Sequence, residues 1–221
     1  MASRARGSRE GGQRGLLVIG GAGPAAASLR EAARGAGLVA AADAGLVRIL
    51  EAGLLPDLVV GDMDSLPDRT LLNRVPAERV FVFPEDKDET DTEIGMRMLR
   101  ERGCTEITLA GGGGGRMDHL LAVALLFERR TPPVRWLTDT ADMYLVQGEA
   151  EFDGWEGSIV SVFPVGARAA RMKSDGLRWP LDGLVFRRGY GGVSNRVVGE
   201  RMRISVRTGK LLLVRGLAGD G

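Results

Sequence analysis

Three polar loops, each directly after a short apolar run, constrain the fold of this 221-residue chain more than any other feature. The loops are GDMDS at residues 61–65, PEDKDETDTE at 84–93 and AGGGGGRMDH at 110–119. The apolar runs before them, at 58–60, 80–83 and 107–110, have the length of buried strands. Strands that end in polar loops place functional side chains along the C-terminal edge of a parallel sheet. The sequence therefore predicts that the three loops converge on one pocket.

Aspartates dominate these loops, and the candidates are Asp62, Asp64, Asp88, Asp91 and Asp118. Crowded carboxylates repel one another, and some take up protons unless a cation shares the site. Oxygen ligands of this kind suit Mg²⁺, which commonly bridges protein carboxylates and substrate phosphates. The acidic loops therefore predict a magnesium site.

The glycine-rich loop predicts the complementary half of the site. Backbone N–H groups of residues 111–115 can face an anion, and Arg116 can add a bidentate phosphate contact. A metal site beside a phosphate cradle indicates a nucleotide polyphosphate. Each loop also has a simpler interpretation on its own, as a turn, a helix cap or a linker, and only the combination at strand ends favours a shared site.

These motifs resemble those of thiamine pyrophosphokinases, enzymes that transfer diphosphate from ATP to thiamine. The matching segments are ADA at 42–44, GDMDS at 61–65, DETD at 88–91, GGRMDH at 114–119 and GVSN at 192–195. The resemblance extends from about residue 16 to residue 213. One departure in the first half is Ala44, where the family usually has glycine.

The resemblance implies a set of roles for the first half of the chain. Mg²⁺ would lie on Asp62, Asp64 and Asp91, and Asp118 would hold the acceptor or the metal. Arg116 and Lys87 would stabilise negative charge on the transferred group and on the leaving AMP. The other residues expected on the ATP side are Asp43, Ser65, Asp88, Thr90, Gly113, Gly114, Gly115 and His119. His119 has a second interpretation, as a polar residue at the start of a helix.

The resemblance also implies a thiamine site in the second half. Trp179 offers an aromatic face to a cationic or heterocyclic acceptor, although core packing is the alternative. Ser194 and Asn195 would help to hold the acceptor. Two departures from the family affect this half: Arg196 replaces the usual glutamate, and Val123 replaces the usual asparagine. Because family acceptor sites lie between subunits, a homodimer is expected.

Composition narrows the possible partners. The formal net charge is +1, which gives no sign of a nucleic-acid or membrane partner. The single cysteine, Cys104, excludes an intrachain disulfide and fits a reducing cytoplasm. No apolar run approaches the roughly 20 residues of a membrane span. We therefore expect a cytoplasmic protein with ATP and thiamine as small-molecule partners.

The order of apolar patterns predicts an α/β protein with two domains after a tail. Residues 1–14 are rich in arginine, glycine and serine and predict a disordered tail. Residues 15–140 predict a mostly parallel sheet with helices on both faces, and this domain would bind nucleotide and metal. Residues 141–221 alternate short apolar runs with turns, which predicts an antiparallel β-sandwich for the acceptor.

Two helices are predicted most clearly. Thr90 and Glu93 form a T-x-x-E capping box, which predicts a helix over residues 90–102 with Asp91 in its first turn. Residues 117–130 carry an apolar face that predicts a second helix, with Asp118 and His119 in its first turn. Ser28 is predicted to cap an earlier helix that ends at residue 35.

Two other functions fit the sequence. Arg196 and Val123 are compatible with a diphosphotransferase that acts on another hydroxymethyl heterocycle, such as a pterin. A non-catalytic regulator that binds thiamine or nucleotide is the third possibility, although it has little use for the metal-binding aspartates.

Overall fold

The computed structural model describes residues 12–217, and these residues form two compact units. A disordered tail was predicted for residues 1–14, and residues 1–11 of it lie outside the described residues. Its last two residues, Gln13 and Arg14, belong instead to the first strand. The first unit contains residues 12–123 and 135–139, and the second contains residues 124–134 and 140–217.

The first unit alternates strands and helices. Its strands are β1 (Gln13–Val18), β2 (Leu38–Ala42), β3 (Leu58–Gly61), β4 (Val80–Val82), β5 (Cys104–Ala110) and β6 (Arg135–Leu137). Its helices are α1 (Ala26–Arg34), α2 (Gly45–Glu51), α3 (Asp91–Glu101) and α4 (Met117–Leu125), of which the last two residues belong to the second unit. Short 3₁₀ helices occupy Arg69–Arg74 and Ala77–Arg79 between β3 and β4.

The six strands of this unit pair in parallel in the order β6-β5-β1-β2-β3-β4. Leu16, Leu17 and Val18 of β1 are completely buried, as expected for a central parallel strand whose two faces are covered. The chain leaves β1 towards β2 on one side and later returns to β5 on the other. In sheets of this type, ligands bind beyond the carboxyl ends of the strands near such a reversal.

The helices differ from the sequence prediction in detail. Helix α4 ends at Leu125 and is followed by a 3₁₀ turn at Leu126–Glu128, so the predicted helix over residues 117–130 is too long. The predicted cap at Ser28 is wrong, because α1 begins after Ala25 and Ser28 lies inside it. The predicted capping box at Thr90 is confirmed.

The second unit contains two groups of four antiparallel strands. Its strands are β7 (Ala141–Val146), β8 (Glu149–Asp153), β9 (Ile159–Val165), β10 (Ala169–Asp175), β11 (Val185–Arg187), β12 (Gly192–Arg196), β13 (Arg201–Thr208) and β14 (Lys210–Gly216). One group, with the order β12-β9-β14-β7, is part of a ten-stranded sheet, and the other forms a four-stranded sheet with the order β11-β10-β13-β8. The predicted α/β class, with a parallel sheet first and antiparallel sheets second, is confirmed.

An aromatic cluster lies in the core of the second unit. The rings of Phe152 and Trp155 are 4.3 Å apart between centroids, and Tyr144 meets Phe152 edge-on at 5.2 Å. The surrounding apolar core draws residues from both sheets, including Val162 and Ile204. Aromatic side chains bury large areas in such positions and help to hold two sheets together.

The two units divide the chain differently from the predicted domains. Residues 124–134, which the prediction placed in the first domain, cluster with residues 140–217. No helix within residues 12–217 is long and apolar enough to cross a membrane.

Candidate active site

Carboxylates from neighbouring strands meet at the C-terminal edge of the parallel sheet. Asp43 follows β2, and Asp62 and Asp64 follow β3. One oxygen from each of these three side chains lies within 4.8 Å of the others. The backbone N–H of Asp64 donates a hydrogen bond of 3.1 Å to Asp62 Oδ1, which fixes the turn between the two. Three convergent carboxylate oxygens are a donor set that fits Mg²⁺ or another hard divalent cation.

Asp43 joins the loops that follow β2 and β3. Its φ of 45° is in the left-handed region, and its Oδ1 accepts a hydrogen bond of 3.2 Å from the backbone N–H of Met63. Gly61 passes directly beneath it with a φ of 139°, and a Cβ on Gly61 would overlap the Asp43 carboxylate. Only glycine leaves room for this carboxylate in its present position.

Lys87 links the cluster to helix α3. Its Nζ lies 2.9 Å from Asp62 Oδ2 and 3.1 Å from Asp91 Oδ1. It also donates a hydrogen bond of 2.9 Å to the carbonyl oxygen of Pro84. Asp91 lies in the first turn of α3, where Thr90 caps the helix and Glu93 completes the capping box. The cap therefore fixes the position from which Asp91 reaches the cluster.

Different surroundings within the cluster shift the pKa values of its carboxyl groups in opposite directions. Burial, together with a hydrogen bond to Asp91, raises the pKa of Asp43 from 3.8 to about 7. The hydrogen bond from Lys87 lowers the pKa of Asp62 to about 2. A hydrogen bond with Asp62 raises the pKa of Asp64. Asp62 is therefore ionised beside the lysine, whereas Asp43 retains its proton to a higher pH.

Lys87 responds to the same contacts. Burial acts to lower its pKa, but the hydrogen bond to Asp62 and the charge of Asp91 outweigh burial, so the pKa is raised. The lysine is therefore a fixed positive charge among carboxylates.

The glycine-rich loop after β5 is partly closed to anions. The backbone N–H groups of Gly111, Gly112 and Gly113 donate to the carbonyl oxygens of Leu137, Gly20 and Ala22 at 2.7–2.8 Å. The prediction that all five glycine amides face an anion is therefore wrong for these three, including Gly113. These bonds instead attach the loop to the ends of β6 and β1. Gly114 and Gly115 lie beyond these three amides and are exposed.

Arg116 and Asp118 form a separate pair near that loop. Arg116 Nη2 lies 2.6 Å from Asp118 Oδ2, and both side chains are about two-thirds exposed. The arginine holds the pKa of Asp118 well below its ordinary value. Three strand spacings separate β5 from β3, which is about 14 Å along the sheet. Asp118 pairs with Arg116 instead of belonging to the carboxylate group that contains Asp62. His119 is exposed beside Asp118.

The remaining predicted ATP-side residues differ in their hydrogen bonds and exposure. Ser65 Oγ accepts a hydrogen bond of 3.3 Å from the backbone N–H of Ala44. The Thr90 hydroxyl is used in the helix cap, and Asp88 is exposed on the preceding loop. A cavity of about 380 Å³ adjoins Ser65 and is also lined by Arg48 and Glu51 of α2.

A second cavity, of about 270 Å³, lies in the second unit. Its lining is mainly apolar, with Val160, Val162, Leu181, Phe186, Trp179 and Asn195 among the lining residues. An apolar cavity with a few polar groups is typical of small-ligand sites. Trp179 is 55% exposed at its edge, so core packing does not account for this residue.

Asn195 holds the backbone of Trp179 from both sides. Its Nδ2 donates to the carbonyl oxygen of Trp179 at 2.7 Å, and its Oδ1 accepts from the Trp179 N–H at 3.2 Å. The guanidinium of Arg178 lies over the indole, 5.1 Å from the ring centroid. Ser194 has a φ of 58° and donates its N–H to Ser161 Oγ. The predicted acceptor residues Trp179 and Asn195 thus lie together at one cavity.

Sequence reasoning underestimated three positions. Asp43 was expected on the ATP side, whereas it belongs to the carboxylate cluster. Gly61 was recognised only as part of a motif, although its missing side chain makes room for Asp43. Arg178 precedes Trp179 in the same segment, but a sequence contains no signal that its guanidinium would lie over that ring.

A parallel α/β unit with a carboxylate cluster, joined in one chain to a β unit with an apolar cavity, defines a class of two-unit α/β proteins. The family comparisons give this class a name. The catalytic-domain model of thiamin pyrophosphokinase matches residues 29–134, and the vitamin B1 binding domain model of the same enzyme matches residues 145–213. The chain belongs to the thiamin pyrophosphokinase family.

Curated relatives agree with this assignment. The chain is 28% identical over 167 residues to thiamine pyrophosphokinase 1 of Oryza sativa subsp. japonica, and 26% identical over 166 residues to the protein of that name from Arabidopsis thaliana. These alignments cover 68% and 67% of this chain. They cover 62% and 61% of the plant proteins, which is less than two-thirds of each.

Solved structures share the fold. Thiamine pyrophosphokinase from Bacillus subtilis superposes with a TM-score of 0.77 at 22% identity, covering 93% of this chain and 100% of that one. The enzyme from Geobacillus thermodenitrificans has a TM-score of 0.71 at 24% identity and covers 93% of this chain and 99% of its own. Yeast thiamin pyrophosphokinase has a TM-score of 0.69 at 18% identity and covers 95% and 88%.

Proposed function

We propose that this chain transfers diphosphate from ATP to the hydroxyl group of thiamine, giving thiamine diphosphate and AMP. The observation that carries the proposal is the carboxylate cluster of Asp43, Asp62 and Asp64 with Lys87 and Asp91 beside it. The two family matches, one catalytic and one for vitamin B1, support the same assignment.

The carboxylates of Asp43, Asp62 and Asp64 would hold Mg²⁺, with Asp91 as the further predicted ligand. When bound, the cation neutralises and aligns the polyphosphate. Crowded carboxylates with opposite pKa shifts are the chemistry that a divalent cation relieves, so these residues fit the metal.

The chain's residues would act by positioning and by electrostatics. The thiamine hydroxyl oxygen forms a bond to the β-phosphorus of ATP, and the bond from that phosphorus to the oxygen of AMP breaks. In this step the hydroxyl group would lose its proton to an aspartate carboxylate of the site. Lys87 and Arg116 would stabilise the charge on the transferred group and on the leaving AMP. Lys87 contacts Asp62 at the end of β3, and Arg116 follows β5, three strand spacings or about 14 Å away, a distance that an extended nucleotide can bridge.

The heterocyclic acceptor would enter the cavity beside Trp179 and Asn195. The apolar lining suits a flat ring, and the exposed indole provides a stacking surface. A homodimer and a cytoplasmic location complete the proposal.

The decisive experiment incubates the purified protein with ATP, Mg²⁺ and thiamine and detects thiamine diphosphate and AMP by mass spectrometry. We expect both products from the wild-type protein and at least a hundredfold less from Asp64→Asn, which removes one ligand charge. Glu156→Gln removes the same charge at an exposed position in the second unit, outside the carboxylate cluster, and serves as the matched control. Wild-type turnover in Asp64→Asn and Asp91→Asn would refute the metal assignment.

One structural observation favours a second candidate acceptor. Arg178 already covers part of the Trp179 ring, so a guanidinium group lies on the aromatic face proposed for the acceptor, and Arg196 directly follows Asn195 in β12. A diphosphotransferase for another hydroxymethyl heterocycle is therefore the alternative. AMP release measured across thiamine, hydroxymethylpterin and hydroxymethylpyrimidine distinguishes the two. Thermal stabilisation by thiamine and ATP without AMP release would instead indicate a binding regulator.

A further inference from the structure

Lys87 places a positive charge where the proposed metal site needs open carboxylates. Its ammonium contacts Asp62 and Asp91, two predicted ligands, and its side chain is only 14% exposed. Asp62 has both carboxylate oxygens hydrogen bonded, Oδ1 to the N–H of Asp64 and Oδ2 to Lys87. A divalent cation that binds Asp62 must therefore share the carboxylate with an ammonium group that repels it.

The Asp91 contact is weaker in geometry than the Asp62 contact. Asp91 Oδ1 is buried and lies 3.1 Å from Lys87 Nζ, yet within residues 12–217 it accepts no hydrogen bond of good geometry. The attraction is therefore mainly between charges. A buried oxygen held this way is a ligand that a better-placed cation can take over.

The position of Lys87 allows its ammonium to change partners. The residue lies in the loop between β4 and α3, and its flexible four-carbon stem can redirect the charge without moving a strand or helix. A nucleotide polyphosphate brings several negative charges to the same edge of the sheet. The ammonium then has an anionic partner other than Asp62 and Asp91.

We propose that Lys87 competes with a divalent cation for Asp62 and Asp91 and transfers to the polyphosphate when nucleotide binds, so that cation and nucleotide bind cooperatively. This inference rests on the proposed function for the location of the metal. It makes the site selective for a cation that arrives with a nucleotide. A free cation must displace the ammonium without offering it a new partner, whereas a cation that arrives with a nucleotide brings the phosphates to which the ammonium transfers.

Mn²⁺ alone is the first probe, because the electron paramagnetic resonance signal of free Mn²⁺ reports binding without turnover. We expect Lys87→Met to bind Mn²⁺ about tenfold or more tightly than the wild-type protein, since a neighbouring opposite charge changes the cation affinity of a carboxylate by about this factor or more. Lys87→Arg retains the charge and should bind as the wild type does. Lys173→Met removes an exposed lysine from β10 and is the charge-matched control.

The coupling is measured with α,β-methylene-ATP, in which the bond that would break is blocked. Equilibrium dialysis gives the affinity for this analogue with and without Mn²⁺. We expect Mn²⁺ to increase the wild-type affinity by a factor within the usual range of about 5–150. In Lys87→Met this factor should be smaller than in the wild type, because only the direct attraction between cation and phosphates remains.

Lys87→Gln provides a second neutral variant that can still donate to Pro84, in case the methionine variant does not fold. Melting curves with and without Mn²⁺ identify folded protein. Equal or weaker Mn²⁺ binding in the folded neutral variant overturns the inference. Failure of the wild type to form thiamine diphosphate, with tighter Mn²⁺ binding by Lys87→Met, would sink the proposed function but support this inference.

Discussion

Within residues 12–217, the non-glycine residues with a positive φ all lie at the two candidate sites. Asp43 and Met63 belong to the carboxylate loops, and Ser194 adjoins the cavity of the second unit. Such conformations cost about 1–3 kcal/mol each and persist where the surroundings hold them. At Asp43 the hydrogen bond from Met63 and the space above Gly61 do so. The conformation of single residues thus indicates the same sites as their chemistry.

The raised pKa of Asp43 predicts a pH dependence of stability. The folded protein retains a proton up to about pH 7, whereas the unfolded chain releases it near 3.8. The free energy of unfolding should therefore fall as the pH rises from about 4 to 7 without divalent cations. Asp62 acts in the opposite sense, because its pKa is lowered to about 2 and its contribution is lost as the pH falls below about 4.

Urea unfolding of wild-type protein and Asp43→Asn at pH 4–8 in the presence of a chelator tests this dependence. Asparagine does not titrate. In that interval, the plot of the free energy of unfolding against pH should therefore lose a slope that corresponds to at most one proton in the variant. Asp86→Asn, at an exposed position, should retain the wild-type slope. Identical slopes in wild type and Asp43→Asn would contradict the assignment.

Gly61→Ala should damage the site and the stability together. The new Cβ would overlap the Asp43 carboxylate at a φ of 139°, so we expect a loss of about 2–4 kcal/mol in the free energy of unfolding and weaker Mn²⁺ binding. Gly53→Ala is the matched control, because its φ is 71° and nothing lies within 4 Å of the added Cβ. It should lose only about 1 kcal/mol and bind Mn²⁺ normally. Equal effects of the two substitutions would refute the steric explanation.

Much of the candidate site follows from residue spacing alone, but its connections do not. GDMDS after an apolar run indicates Asp62 and Asp64, and the T-x-x-E pattern places Asp91. The use of the Gly111, Gly112 and Gly113 amides by neighbouring strands depends on which strands are adjacent, which sequence does not state. For the same reason, the pairing of Asp118 with Arg116 was not foreseen.

Helix α3 connects secondary structure to the site. The Thr90 side chain accepts from the backbone N–H of Glu93, and Glu93 in turn accepts from the N–H of Thr90. Removing an N-cap costs about 1 kcal/mol. Thr90→Ala should therefore lower the free energy of unfolding by about 1 kcal/mol in denaturant titrations and weaken Mn²⁺ binding through Asp91. Thr92→Ala, within the helix, is the control and should leave Mn²⁺ binding unchanged. If Thr90→Ala lowers the stability but leaves Mn²⁺ binding unchanged, Asp91 does not take part in the metal site.

Elements with a strong local pattern were predictable, whereas short polar strands were not. Strand β2 at Leu38–Ala42 has a continuous apolar run of the kind that indicates a buried strand. Strands β8, β10 and β12 were missed because charged or polar residues interrupt their apolar pattern, as in AARMKSD at Ala169–Asp175. They form through pairing with β13 and β9, which are distant in sequence.

Helix α4 shows a further limit of pattern analysis. Leu120, Leu121, Ala124 and Leu125 make most of its circumference apolar, so the sequence does not determine which side is buried. In the structure Val123 is buried, while Met117, Leu121 and Leu125 form an exposed stripe with 55–66% of each side chain accessible.

At the scale of the whole molecule, this stripe gives the expected homodimer a testable surface. Exposed apolar residues at successive helix turns are typical of interaction sites. We expect light scattering coupled to gel filtration to give about twice the chain mass of 23.6 kDa. Leu121→Glu should shift the protein towards monomer, since it places a charge within the stripe. Leu55→Glu, at an exposed position outside the stripe, should not. A wild-type monomer would contradict the expected dimer, and an unaffected Leu121→Glu dimer would exclude this face.

Alternating strand and helix patterns, followed by short apolar runs separated by turns, were sufficient to predict the fold class. The boundary of the compact units was harder, because residues 124–134 continue directly from α4 but cluster with the second unit. Their apolar side chains, such as Phe127, fit either unit by composition, and only contacts decide between them.

The Asn195 anchor makes position 179 open to redesign. Asn195 forms hydrogen bonds with the main chain of Trp179 and not with its indole, so these bonds do not depend on which ring the residue carries. Exchange of the tryptophan for tyrosine, phenylalanine or histidine alters the face shown to an incoming ring while the strand junction stays tied. Selectivity for new acceptors can therefore be explored there one side chain at a time, with the scaffold left intact.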